Sequence, residues 1–314
     1  MKLLVTGGAG FIGSNFVSRI LAGQYAPISS VRVLDKLTYA GNLSIAEEFS
    51  KSGVEFIAGD ICDETKVKSA LKSIDCIVNF AAESHVDRSI NNPTPFVVTN
   101  ILGTQVLLKQ ALAQGVGVFV QVSTDEVYGS IQNGQFDEKS NLNPSSPYAA
   151  SKAAADLLAL SFQKTFGLDV RVTRSVNNYG PNQHHEKLIP NFIRQLLRDK
   201  KLPLYGDGLN IREWIYVEDN CDAIFSVIQK GATGGIYNIG SGVERSNKDI
   251  ANLLVDLLNS NQDMIEYVED RKGHDFRYAL NSQFLFETTG FLPKIGILEG
   301  MGKTIEWYKS SKDL

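Results

Sequence analysis

The 314-residue sequence predicts an α/β protein, a doubly wound parallel sheet followed by a smaller carboxy-terminal lobe. Three observations lead there. Short, nearly continuous apolar and β-branched runs recur through the first half; the segments between them have room for crossover helices; and after about residue 176 the alternation becomes irregular. Strands apolar on both faces belong to a parallel sheet covered by helices above and below.

In chain order, strands are expected at 2–6 (KLLVT), 31–35 (VRVLD), 54–60 (VEFIAGD), 75–80 (DCIVNF), 118–123 (VFVQVS) and 169–175 (DVRVTRS), with helices at 11–23, 63–73, 95–114 and 147–166. A short strand at 235–240 and helices near 247–259 and 297–309 follow. Residues 1–176 are assigned to the sheet domain and 177–314 mainly to a lobe that interleaves with it. Its expected seat is the carboxyl ends of the strands, where open α/β sheets bind ligands. The 95–114 segment, PFVVTNILGTQVLLKQALAQ, is apolar on more than one face, which a single sheet cannot cover. A homodimer through this helix, and through the one containing Tyr148, is expected.

The formal net charge is −4 and there is no basic tract, which argues against nucleic acid or an anionic membrane surface as the main partner. The longest apolar stretches, such as 250–258, read as too short or too interrupted to cross a bilayer. Met1 is followed at once by KLLVTGG, with no room for a secretory signal, so a cytoplasmic location is expected. Cys62, Cys76 and Cys221 are scattered without ligand spacing, so neither a disulfide framework nor a metal site is expected.

GGAGFIG lies between the first strand and the first helix. Gly8, Gly10 and Gly13 satisfy G-x-G-x-x-G, and Gly7, Gly10 and Gly13 satisfy G-x-x-G-x-x-G. Such a turn needs glycine for its backbone angles and for close approach of a diphosphate to the helix N-terminus, the signature of a Rossmann dinucleotide site. Asp35 closes the second strand, where a carboxylate accepts from ribose hydroxyls and repels a 2′-phosphate. The expected cofactor is NAD rather than NADP, a choice that the adjacent Lys36 weakens slightly.

Tyr148 and Lys152 are four apart in SPYAASKAAAD, hence on one helical face. An ammonium near the phenol, together with a positive nicotinamide ring, would favour the phenolate and make it a usable base. At the end of the fifth strand, Thr124 precedes the adjacent carboxylates Asp125 and Glu126. Two such charges cost stability when desolvated, so they suggest acid–base work. Ser123, Thr124 and Asp125 could equally cap a following turn.

These motifs, with LDKLTYAGNL at 34–43, NFAAESHVDRSI at 79–90, VSTDEVYG at 122–129, NNYGP at 177–181, EKLIP at 186–190 and YGDGLNIREWIYVEDN at 205–220, resemble the extended short-chain dehydrogenases/reductases acting on nucleotide sugars, in their 4,6-dehydratase branch. The resemblance runs from residue 2 to about residue 281. It implies NAD as cofactor and dTDP-glucose as substrate. Tyr148 would take the proton of the carbon 4 hydroxyl as the hydride passes to NAD, with Thr124 on the same oxygen. Glu126 would remove the proton of carbon 5, Asp125 would protonate the hydroxyl leaving carbon 6, and the hydride would return to carbon 6. Relatives that only epimerise or decarboxylate typically lack the Asp–Glu pair. A 4,6-dehydratase or 4-epimerase of another nucleotide sugar is the alternative.

The same resemblance implies cofactor contacts from Gly7, Gly10, Phe11, Ile12, Gly13, Asp35, Lys36, Leu37, Thr38, Asp60, Ile61, Phe80, Ala81, Ala82, Ser84, Thr99 and Asn178, beside Tyr148 and Lys152. For the substrate it implies Ser84, His85, Thr124, Asn177, Lys187, Leu188, Pro203, Leu204, Tyr205, Arg212, Asn247, Arg271 and His274, with Arg212 and Arg271 for the diphosphate. His85 reads as a hydrogen-bonding residue of the site or as a structural histidine. His185 and Lys272 stand where many relatives have proline, and Asn281 where aspartate is common; these departures touch loop shape rather than the catalytic set.

Overall fold

Seven parallel strands form the frame of the computed structural model, which describes residues 1–270 and 273–311. In chain order the strands are β1 (Lys2–Thr6), β2 (Ser30–Asp35), β3 (Glu55–Ala58), β4 (Cys76–Asn79), β5 (Val118–Thr124), β6 (Val170–Ser175), β7 (Asn177–Tyr179), β8 (Leu202–Tyr205), β9 (Ile211–Tyr216), β10 (Ile236–Ile239), β11 (Glu244–Ser246) and β12 (Ile265–Val268). The main sheet runs β10-β6-β5-β4-β1-β2-β3, so strand order reverses at β1, between β2 and β4. That reversal parts the crossover connections and leaves a crevice beyond the carboxyl ends. This is the doubly wound Rossmann architecture.

The two faces follow from the period of a strand. Leu3 and Val5 of β1 enter one core with Phe16, Ile224 and Val227, under helices Phe11–Leu21 and Val217–Lys230. Leu4, between them, enters the other with Val67, Leu107 and Ala159, under helices Glu64–Ala70, Thr94–Ala113 and Pro147–Phe166. β4 to β6 are buried almost throughout, as their unbroken apolar runs require.

Past residue 176 the chain leaves this layer and returns to it. Helix Val217–Lys230 and β10 complete the main sheet, with Ile236 in register with Val172 of β6. The remaining strands and helices Leu188–Leu196, Asn247–Leu257 and Ile297–Ser310 enclose a third core around Phe192, Trp214, Leu254 and Ile305.

Three local expectations change. The third strand ends at Ala58, because Gly59 and Asp60 already turn into the crevice. Helices Leu43–Lys51 and Val86–Asn91 form where none was expected; they are short, and the first starts on the Asn42 side chain, which accepts from the Ser44 amide. Thr94–Ala113 is a single helix, widened to π-helical turns over Val97–Gly103, and is long and apolar enough to span a bilayer by length and composition. Its Val106, Leu107, Leu108 and Ala111 pack into the core, so part of its apolarity serves the fold. Val97 and Leu102 remain about half exposed, at 52% and 49%.

One buried ion pair ties the parts that carry the site. Arg174 of β6 donates to Asp156 of helix Pro147–Phe166 at 3.1 Å, with both side chains essentially inaccessible. It also donates to the Tyr128 hydroxyl at 2.8 Å, which in turn donates to Asn238 of β10 at 2.8 Å. Strand, helix and the turn after β5 therefore hold one geometry. Removing one partner strands a buried charge, so Asp156→Ala should lower the unfolding free energy by about 3–5 kcal/mol in urea titrations, whereas the double replacement Asp156→Leu/Arg174→Met should cost much less.

Candidate active site

The first cleft opens at the turn after β1. Gly7 lies at φ 67°, and a side chain there would run into the Phe80–Ala81 backbone; a side chain at Gly13 would strike the Gly7 carbonyl. These two glycines are required by packing of the protein on itself. Gly10 is different: it caps helix Phe11–Leu21 without a side-chain partner, lines the cleft, and the first helical turn carries no acid. Free amides with no competing carboxylate are what an entering diphosphate needs.

Gly7, Gly10, Phe11, Ile12, Gly13, Asp35, Lys36, Thr38, Asp60, Ile61, Phe80, Ala81, Ala82, Ser84, Thr99, Tyr148 and Lys152 all line this cleft. The Asp35 carboxylate is fixed by the amides of Ala9 at 2.9 Å and Leu37 at 2.8 Å. Burial raises its pKa and these two bonds oppose the rise. Lys36 is paired with Asp60 at 2.6 Å, so its charge is committed away from Asp35. A fixed carboxylate, uncapped amides and a wall of Phe80 to Ala82 fit a dinucleotide. Two expected residues do not line the cleft. Leu37, at φ 54°, acts through its amide on Asp35, and the Asn178 side chain donates to the Val176 carbonyl at 2.9 Å.

The Tyr148 helix begins on Ser146, whose hydroxyl accepts from the Ala149 amide at 3.1 Å. Lys152, 4% exposed, donates to the Val122 carbonyl at 2.6 Å. Burial pulls its pKa down to about 8, against the pull of Asp156. The Tyr148 hydroxyl is hydrogen-bonded to Thr124, and its pKa is raised, first by burial and then by Glu126 and Asp125. The expected help to the phenolate is therefore not supplied by the folded chain alone. Desolvation and two carboxylates outweigh it, and the Lys152 ammonium rests on a carbonyl.

Asp125 and Glu126 do not sit on the strand. β5 ends at Thr124, and Asp125–Tyr128 forms a 3₁₀ turn. Thr124 caps that turn, accepting from the Glu126 amide at 3.3 Å and donating to Asp125 Oδ1 at 3.1 Å, so the capping role and the presentation of the carboxylates coexist. The turn separates the pair. Asp125 is 2% exposed with Oδ2 unpartnered, and its pKa is well above the usual carboxylate range, owing to burial and then to Glu126. Glu126 is only partly buried and faces a second cleft. One carboxyl is thus pushed toward its uncharged form beside another that borders an open cleft.

That second cleft is lined by His85, Glu126, Asn177, Lys187, Leu188, Pro203, Leu204, Tyr205, Arg212, Asn247 and His274. Ser84 falls in the first cleft, Thr124 lines neither cleft, and Arg271, like Lys272, lies outside the described residues. Lys187 borders both clefts and donates to the Ser84 carbonyl at 2.8 Å. Arg212 donates to the carbonyls of Ile211, Asp275 and Phe276, and its guanidinium lies 4.4 Å over the Tyr278 ring. It is a rigid cation at the cleft wall. His274 pairs with Asp270 at 2.7 Å. His85 lies 3.5 Å from Glu186, with Nδ1 buried and unbonded, and burial and then Lys187 lower its pKa.

The sequence matches the family model described as GDP-mannose 4,6 dehydratase over residues 4–304. The chain belongs to this family. It is 50% identical over 315 residues to a dTDP-glucose 4,6-dehydratase of Streptomyces antibioticus, covering 99% of this chain and 93% of that one. The crystal structure of DesIV, a dTDP-glucose 4,6-dehydratase from Streptomyces venezuelae with NAD bound, superposes with a TM-score of 0.97 at 50% identity, over 99% of this chain and 98% of that one. A UDP-glucose 4-epimerase of Thermotoga maritima shares the fold at a TM-score of 0.91 but 28% identity, over 98% and 99% of the two chains. Fold alone does not separate dehydratases from epimerases in this company.

Several lining residues escaped the sequence. Tyr278 and Trp214 in the second cleft, and Glu83, Gln183 and His184 in the first, are brought in by tertiary packing; Tyr278, Trp214 and Glu83 lie within family-like segments, Tyr278 in DRKGHDFRYAL at 270–280, but were not singled out there. His185 stacks on His184 at 4.2 Å between rings, and Asn281 accepts from the Gln283 amide at 2.9 Å ahead of helix Gln283–Thr289. The raised pKa of Asp125 carries a stability signature. Below the ordinary carboxylate pKa both folded and unfolded states are protonated and there is no penalty; as pH rises toward the folded pKa the unfolded state is increasingly favoured. Asp125→Asn should therefore melt higher than the parent at pH 7 to 8, with the difference vanishing near pH 3 to 4 in thermal scans.

Proposed function

We propose that this chain is an NAD-dependent dTDP-glucose 4,6-dehydratase, converting dTDP-glucose into dTDP-4-keto-6-deoxyglucose and water. One observation carries the reading beyond family membership: beside the Thr124–Tyr148 pair, Asp125 is buried and pushed toward its uncharged form while Glu126 faces the second cleft. Elimination of water needs a further acid and base acting on neighbouring carbons; 4-epimerisation needs a base for the carbon 4 hydroxyl but no such further pair.

The residues of the first cleft would hold NAD, Gly10 and the helix N-terminus receiving its diphosphate and Asp35 a ribose. Bound NAD supplies the acceptor, and later the donor, of the hydride exchanged with the sugar. Tyr148 receives the proton of the carbon 4 hydroxyl while Thr124 bonds the same oxygen, and the Lys152 ammonium favours the phenolate once the cofactor's positive ring adjoins it. With carbon 4 a ketone, the carbon 5 hydrogen is acidic and Glu126 removes it. Asp125 gives its proton to the hydroxyl on carbon 6, which leaves as water. The proton on Glu126 returns to carbon 5 when carbon 6 is reduced. Arg212 and Lys187 hold the diphosphate; Pro203, Leu204 and Tyr205 form the wall expected for the base, with Asn177, Leu188, Asn247, His85 and His274 around the substrate.

Val97, Val98 and Leu102 are exposed on one helix, and Leu157 and Phe166 on the Tyr148 helix packed against it. These side chains support a homodimer formed by the two helices. The enzyme is read as cytoplasmic and acting on soluble sugar nucleotides, and its net charge of −4 without a basic tract argues against nucleic acid or an anionic membrane as partner.

Glu126→Gln should still oxidise the sugar, so absorbance of reduced cofactor should build up while water loss falls by roughly 10²–10⁴. Tyr148→Phe should suppress that absorbance from the start; dehydration of dTDP-glucose near the parent rate in either variant refutes the assigned role. Formation of a galactose-type product without loss of water would favour the epimerase reading. Val97→Asp/Leu102→Asp should convert the dimer to monomer by light scattering.

A further inference from the structure

Tyr39, Arg88 and Glu186 fasten three segments to one another at the first cleft, and Glu186 itself lines the second. The loop after β2 carries Tyr39, between the lining residues Thr38 and Ala40; the segment after β4 leads to Arg88; and the loop after β7 carries Glu186, between His184 and Lys187. The Arg88 guanidinium covers the Tyr39 ring at 3.8 Å and donates to both carboxylate oxygens of Glu186 through one edge, Nη2 to Oε1 at 2.7 Å and Nε to Oε2 at 3.2 Å. His184 meets the other part of the Tyr39 ring edge-on at 5.6 Å, and the Tyr39 hydroxyl is hydrogen-bonded to the Glu83 carboxylate. Each loop also contributes wall to the cleft, so a ligand beneath it cannot leave unless one loop parts from the others.

We propose that Tyr39, Arg88 and Glu186 form a clasp that retains the dinucleotide in its cleft between the oxidation and reduction steps. This rests on the function proposed above. The reaction has no net redox change, and reduced cofactor that escapes midway leaves the ketone stranded and the enzyme without its reductant. A single exposed ion pair is weak, but a two-pronged arginine–carboxylate contact laid on an aromatic ring joins three segments at once. None of the three side chains touches the reacting carbons; they are positioning residues.

The test is the rate at which NAD leaves the purified holoenzyme, read as reduced cofactor formed by excess alcohol dehydrogenase and ethanol. Arg88→Gln and Tyr39→Ala should each speed release by roughly five- to tenfold, and Arg88→Gln/Glu186→Gln should release no faster than Arg88→Gln alone, since one contact is lost in both. Melting temperatures of the variants stripped of cofactor should stay within about 2 °C of the parent. Release within twofold of the parent in Arg88→Gln and Tyr39→Ala overturns the clasp, as does faster release that merely follows a general loss of stability. A parent that dehydrates dTDP-glucose while the variants release NAD normally sinks the clasp alone; a parent that binds no NAD sinks the functional reading with it.

Discussion

A parallel sheet covered by helices on both faces leaves one place where the chain can meet a ligand, the carboxyl edge at which the strand order reverses. Everything chemical in this protein is arranged along that edge. β1 delivers the glycine turn, β2 Asp35, β4 the Phe80–Ala82 wall, β5 Thr124 and the turn with both carboxylates, and the chain beyond β6 returns to build the second cleft. The Arg174–Asp156 pair, tied on through Tyr128 to Asn238, holds three of these contributors in one register.

Desolvation then assigns the roles. Asp125, Tyr148 and Lys152 are buried together, and each is pushed toward its uncharged form. A neutral carboxyl is a usable acid near neutrality, and a phenol waits for the charge of a neighbour before it becomes a base. Glu126, one residue along the turn, borders the open cleft instead. In the function proposed, this difference gives two chemically similar neighbours opposite tasks, which an exposed pair in water could not keep apart.

Local chemistry is legible in the order of the residues. The glycine turn, Asp35 and the Tyr148–Lys152 spacing are contiguous or nearly so, and the physics that requires them acts over a few residues. Pairings across long stretches of chain are not legible in that way. Lys36 bound to Asp60, Arg212 seated on the carbonyls of Asp275 and Phe276, and His184 against Tyr39 all join residues that no period or spacing connects. The π-helical turns in Thr94–Ala113 are likewise hidden, since its composition suits a regular helix equally well.

By itself, then, the sequence determined the parallel α/β frame, the dinucleotide turn and the spacing of Tyr148 and Lys152, because short-range periodicity and backbone sterics are written in consecutive residues; the acid and base roles of Asp125 and Glu126 are implied only by the family resemblance. Only the tertiary structure decided that Asp125 is buried and pushed toward its uncharged form while Glu126 faces the cleft, that Leu37 and Asn178 support the first cleft without lining it, and that β10 closes the main sheet. Those outcomes depend on which distant segments exclude water from a side chain or offer it a partner, and burial is a property of the folded whole.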